Sequence, residues 1–164
     1  MIDRTCAAIG AGLLALTCAV LPAYGQQTSQ AAQERGIVPF TDQRTPIALT
    51  EVERAFIRRE MRGFLASLQE ILEASAAGDH AQVAAAGRRS GMGGPEQEHI
   101  PKSLAPKLPM EFKQLGLATH RAFDQIAAGA QGGDATRVPK QVGELMRNCV
   151  ACHSTWRIVG DGER

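Results

Sequence analysis

VPKQVGELMRNCVACHSTWR, residues 138–157, is the stretch on which the reading of this chain turns. At 100° per residue, Val138, Val142, Leu145, Met146, Cys149, Cys152, His153 and Trp156 fall on one arc of about 120°. That pattern predicts an amphipathic helix over 135–158, with Asp134 as its cap and Pro139 tolerated near its start. The apolar face of this helix carries the run Cys149-x-x-Cys152-His153, the spacing of a covalent c-type haem attachment site. Each thiol can add to one vinyl group of haem to form a thioether. Residues three apart share a helix face, and the next residue, His153, can present an imidazole nitrogen to the iron. A thioredoxin-like dithiol would want a strand–helix setting in an α/β domain, which this sequence does not offer. A zinc site would want a second Cys or His pair at finger-like spacing, and none is present.

Three further helices are predicted upstream. Thr50 followed by Glu53 reads as a capping box opening a helix over 51–77. Ile57, Met61, Phe64, Leu65, Leu68, Ile71 and Leu72 form its apolar stripe, and Gly78 ends it. Asp79 caps an Ala-rich second helix reaching Ser90. Gly91, Gly93, Gly94 and Pro95 stop that helix, and the prolines at 95, 101, 106 and 109 make the next stretch a surface connection. A third helix, 109–130, places Phe112, Leu115, Thr119, Phe123 and Ile126 on one face. No strand-type alternation of useful length appears. The expectation is an all-α, antiparallel four-helix bundle over 49–164, with the haem between facing helices near one end.

The first 25 residues read as a cleaved secretory signal peptide: Arg4, an apolar stretch from Cys6 to Leu21, and small residues at Ala23 and Gly25. Polar Gln26 and Gln27 arrive too early for a spanning helix, so no stable membrane insertion is expected. Thr17 before Cys18 fits a lipobox poorly. Residues 26–48, Gln-rich and broken by Pro39 and Pro46, read as an extended arm. Export matches the chemistry, because bacterial c-type haem is attached outside the cytoplasm. It also removes Cys6 and Cys18, leaving only the motif cysteines. With a formal charge of +1 and no basic block interleaved with aromatics, the chain carries no nucleic-acid footprint.

A haem motif on the last of four helices resembles the class II cytochromes c, the family containing cytochrome c′. The family continues its motif as Cys-x-x-Cys-His-x-x-aromatic-Arg, matched here by Cys149, Cys152, His153, Trp156 and Arg157, with Trp where Phe or Tyr is more usual. The resemblance implies one covalently attached haem c with His153 on the iron and Arg157 at a propionate or the porphyrin edge. In the family's low-spin branch a first-helix methionine fills the sixth iron position. Met61, in an Arg-Arg-Glu-Met-Arg run at the centre of the first stripe, stands where that ligand would be; packing alone is the other reading of a core Met. The resemblance further implies a non-enzymatic periplasmic electron carrier working between redox protein donors and acceptors. Alternatives are a five-coordinate module binding NO or CO, or a haem subunit of a specific dehydrogenase.

Other candidates read less well. Met146 lies on the same helix as His153, two turns before it. Met92 and Met110 flank the Gly/Pro-rich connection. His120 sits at the edge of its stripe and reads as solvated or satisfied, and His80 and His99 take no role. Arg58 could neutralise a propionate or simply be solvated. Val52 and Phe56, off the Met61 stripe, could mark a homodimer contact or pack on the arm.

Overall fold

Thr50 opens the first helix, Glu51–Ala76 (α1), and the expected capping box closes in both directions. The Glu53 N–H donates to Thr50 Oγ1 at 3.4 Å, and the Thr50 N–H donates to Glu53 Oε2 at 2.9 Å. Gly78, at φ +71°, turns the chain in the left-handed region that favours glycine. Asp79 Oδ1 then accepts the Gln82 N–H at 2.9 Å and starts His80–Ser90 (α2). Two 3₁₀ turns, Pro95–His99 and Ala105–Lys107, shape the connection to Met110–Gln131 (α3). A third, Ala135–Arg137, leads into Val138–Thr155 (α4). This computed structural model describes residues 41–133 and 135–163, of which those from Gln43 onward pack as one unit. The expected signal peptide, the arm up to residue 40 and the Asp134 cap lie outside the described residues. No helix among those described is long and apolar enough to cross a membrane.

Successive helices pack on one another, and α1 also touches α4. The small residues of α2 permit a close approach to α3: a Cβ at Gly87 would meet the Phe123 carbonyl oxygen at 2.9 Å. Two apolar cores result. The first gathers Phe64, Ile71, Val83, Phe123, Ile126 and Leu145 from all four helices. Each such large side chain, once buried, contributes roughly 1.5–3 kcal/mol. The second lies around Ile47, Leu49, Phe56, Ile57 and Leu104, with Phe112, Trp156 and Ile158 packed against it. Phe56 therefore packs on the end of the arm, while Val52 points outward at 71% exposure.

The helical expectation needs one correction. Thr45–Leu49 (β1) and Trp156–Gly160 (β2) pair in parallel, with Ile47 opposite Ile158. The final helix accordingly stops at Thr155, where residue 158 was expected, and the end of the arm is a strand. The cause is local and tertiary together: Trp156 adopts an extended φ of −123°, and the β-branched Ile158 and Val159 gain ladder bonds and burial beside β1. A second correction concerns the stripes. Leu65 is 69% exposed, and Leu72 and Met146 are also exposed, so they stand outside both cores.

Glu53 does more than cap. Its carboxylate is buried and also accepts from Ser103 Oγ at 2.7 Å and Lys107 Nζ at 2.8 Å, tying the start of α1 to the connection. The Lys107 and Ser103 hydrogen bonds outweigh burial and hold its pKa at about 2 against an ordinary 4.5. A depressed folded pKa stabilises above 4.5, and the benefit is lost as pH falls through about 2. Glu53→Gln is expected to lower Tm by several degrees at neutral pH. The gap to the parent should close in strong acid; a thermal-melt series against pH checks both.

Candidate functional site

The motif residues occupy the last two turns of α4. Cys149 and Cys152 are both free thiols and both half-buried. Cys149 packs against the first core, and its thiol lies 4.0 Å from the Leu145 carbonyl oxygen. Burial raises both thiol pKa values, and for Cys152 the neighbouring Cys149 adds to the effect. A dithiol redox site works through a thiolate of lowered pKa, so the electrostatics here run against that chemistry. His153 is exposed. Its carbonyl accepts from Arg44 Nη1 at 3.1 Å, and the Trp156 N–H donates to the Cys152 carbonyl. The Trp156 ring meets Phe112 of α3 edge-on, 5.6 Å between centroids. The end of α4 is thus fixed on both sides of the motif.

Met61 is half-buried on α1 and touches both cores. Cys149 of α4 leans on the first core, and Trp156, which opens β2, leans on the second. Around Met61, Leu65, Leu68 and Leu72 share an arc of about 60° on α1; Met146, Cys149 and His153 share a similar arc on α4. Several members are exposed, and Val150 beside them is 66% exposed. Arg157, on β2, has a buried Nε with no hydrogen-bond partner among the described residues. A buried, charged donor in that position lacks an acceptor.

Among the described residues, no three His, Cys, Asp or Glu side chains converge to hold a bare ion. Zinc draws four ligands from the protein. A haem brings four nitrogens of its own and asks only for axial partners, which this sparse donor set can supply.

The remaining candidates fall elsewhere. Arg58 is tied to Glu51 at 2.5 Å. Met92 and Met110 are exposed at the two ends of the connection. His99 Nδ1 faces the Pro95 carbonyl at 3.1 Å. His120, expected at a stripe edge, is buried and bonded on both ring nitrogens: Nδ1 is 2.8 Å from the Ser90 carbonyl and Nε2 is 3.3 Å from Glu60 Oε1. Burial opposes its charged form, yet the bonds to Glu60 and Ser90 and the charges of Glu60 and Asp124 raise its pKa overall. A cleft of about 160 Å³ opens beside it, between α1, the end of α2 and the Pro95–His99 turn. Sequence reasoning missed this cluster. Its one signal was the Gly91–Pro95 run, whose tight turn lets Gln97 reach back over His120.

Compared with family models, with curated proteins and with solved structures, the chain matches none.

Proposed function

We propose that the protein is a periplasmic class II cytochrome c that carries single electrons between redox proteins. The residues that would hold its one haem c are Cys149 and Cys152 through thioethers, His153 and Met61 as axial ligands, and Arg157 toward a propionate. When bound, the haem supplies a one-electron ferric–ferrous couple within the protein. The observation that carries this reading is that Cys149, Cys152 and His153 stand together on the last two turns of α4 with both thiols free, and that Met61 of α1 packs against the same core as Cys149. The orphaned Arg157 Nε supports it, because a propionate is the kind of acceptor that atom lacks.

The chain's own residues have separable tasks. The two thiols are free and half-buried, and the S–H of each would add across one vinyl group of the haem. Trp156 and Arg44 hold the helix end so that His153 keeps its direction. The Met61 thioether is neutral, and such ligation favours the reduced iron and raises the potential. Redox partners would dock weakly near the exposed end of α4, over a small interface that allows quick release. A cleaved signal over residues 1–25 delivers the chain to the compartment where the thioethers form.

The optical spectrum of protein exported by a cell with haem-attachment machinery tests the reading. We expect a six-coordinate low-spin haem with a methionine–iron charge-transfer band. A high-spin spectrum that changes at once with carbon monoxide would instead favour a gas-binding module.

A further inference from the structure

Glu60 directly precedes Met61 on α1, and Phe64 follows it by almost one turn. One side chain from α3 engages both. His120 Nε2 lies 3.3 Å from Glu60 Oε1, and the imidazole meets the Phe64 ring edge-on, 5.0 Å between centroids. The His120 and Glu60 side chains are only 9% and 13% exposed, so this contact is shielded from water. The ring's other nitrogen, Nδ1, donates to the Ser90 carbonyl at 2.8 Å, anchoring it to the end of α2. Gln97 closes the group, its amide nitrogen 3.1 Å from His120 Nε2 and 3.4 Å from Glu60 Oε1.

The anchor itself is rigid. The turn after Ser90 is pinned to α3, where the Met92 N–H donates to Asp124 Oδ2 at 3.1 Å. A Cβ at Gly91 would strike Asp124 Oδ1 at 1.9 Å, so the absence of a side chain there lets the Asp124 carboxylate sit against the turn. Glu60, by contrast, borders the 160 Å³ cleft and has space to swing into if it is released. Glu60, Met61 and Phe64 lie within about one turn of α1, so contacts that hold Glu60 and Phe64 bear on the orientation of Met61 between them.

We propose that His120 is the positioning residue for Met61: by gripping Glu60 and Phe64 it sets the rotation of α1 and hence the direction in which the Met61 thioether points. Partners of this kind orient metal ligands without touching the metal. The inference rests on the Met61–His153 reading given above.

His120→Asn tests it, because the shorter amide can still donate to the Ser90 carbonyl but does not reach Glu60. The variant should attach haem like the parent, lose much of the methionine–iron charge-transfer band, and bind carbon monoxide about tenfold faster as the methionine-off population grows. Glu60→Ala, which leaves His120 in place, should shift both readouts in the same direction and decides the matter if His120→Asn does not fold. Glu60→Gln keeps a hydrogen-bonding arm and should restore the parent's band. A purely packing role for His120 would lower Tm and leave the spectrum of the folded protein alone. Parental band intensity and carbon monoxide kinetics in haem-loaded Glu60→Ala, with Met61→Ala giving a changed spectrum, would overturn the proposal alone. A spectrally silent Met61→Ala would remove the ligand reading and this inference together.

Discussion

Protein carrying Cys149→Ala and Cys152→Ala together is expected to leave the cell without any pigment that survives acidified organic solvent. The argument is one of bond type. With both sulfurs gone, a haem could be held only by axial contacts and by packing, and both are lost on denaturation. His153, the proposed axial partner on this helix, is exposed and offers no enclosing pocket of its own. Single replacements should differ from the double one, because one remaining thioether still fixes the group covalently. Denaturing electrophoresis with haem staining reads all three variants: a band for each single replacement and none for the double. Equal staining of the double variant would mean that the pigment is bound elsewhere.

Met61→Ala is the second large effect, and it has two parts that can be separated. The first is packing. Truncating a fully buried Met costs about 2–5 kcal/mol; Met61 is half-buried, so about half of that is expected, read as a lower Tm. The second is ligation: the low-spin spectrum should become high-spin, carbon monoxide should bind immediately, and the potential should fall within the roughly 0.8 V range that axial ligands span. Met61→Leu distinguishes the two, since it nearly conserves volume, typically at under about 1.5 kcal/mol, while removing the sulfur. The spectrum of the Leu variant should follow the Ala variant and its Tm should follow the parent. A low-spin spectrum in both variants would leave Met61 as packing only.

The helices were legible because their signals are local. The Thr50–Glu53 box, Gly78 and Asp79 each act within a few residues, and each does in the fold what its chemistry implies. The parallel sheet was not legible. Its strands are five residues each, too short to show alternation, and they pair residues more than a hundred positions apart, such as Thr45 with Trp156. Helical periodicity ran on through Trp156 because nothing within α4 announces that a strand from the other end of the unit waits beside it. Leu65, Leu72 and Met146 fit the apolar stripes by angle, but angle alone does not tell a core position from one on an uncovered flank. Of the two readings of His120, solvated or satisfied, the structure bears out the second. Its edge position is real, and the residues that bury it arrive from Gln97 and Glu60, through a turn whose path the sequence does not fix.

Among the candidate site residues, Cys149, Cys152 and His153 stand on one helix at the spacing read from sequence, and the structure adds what the sequence lacked. It packs Met61 against both cores and leaves the Arg157 Nε without a hydrogen-bond partner among the described residues. It also gives Arg58 a partner in Glu51, which favours Arg157 over Arg58 for a propionate. Burial raises both thiol pKa values, the opposite of the lowered value on which a reactive dithiol relies.

Mass analysis of the exported chain, intact and after proteolysis, tests the central claim most directly. The account predicts the mature chain plus one haem, with the added mass confined to the peptide containing Cys149 and Cys152 and with neither thiol open to alkylation. An unmodified mass with both thiols alkylated, from cells that attach haem to other proteins, would contradict it.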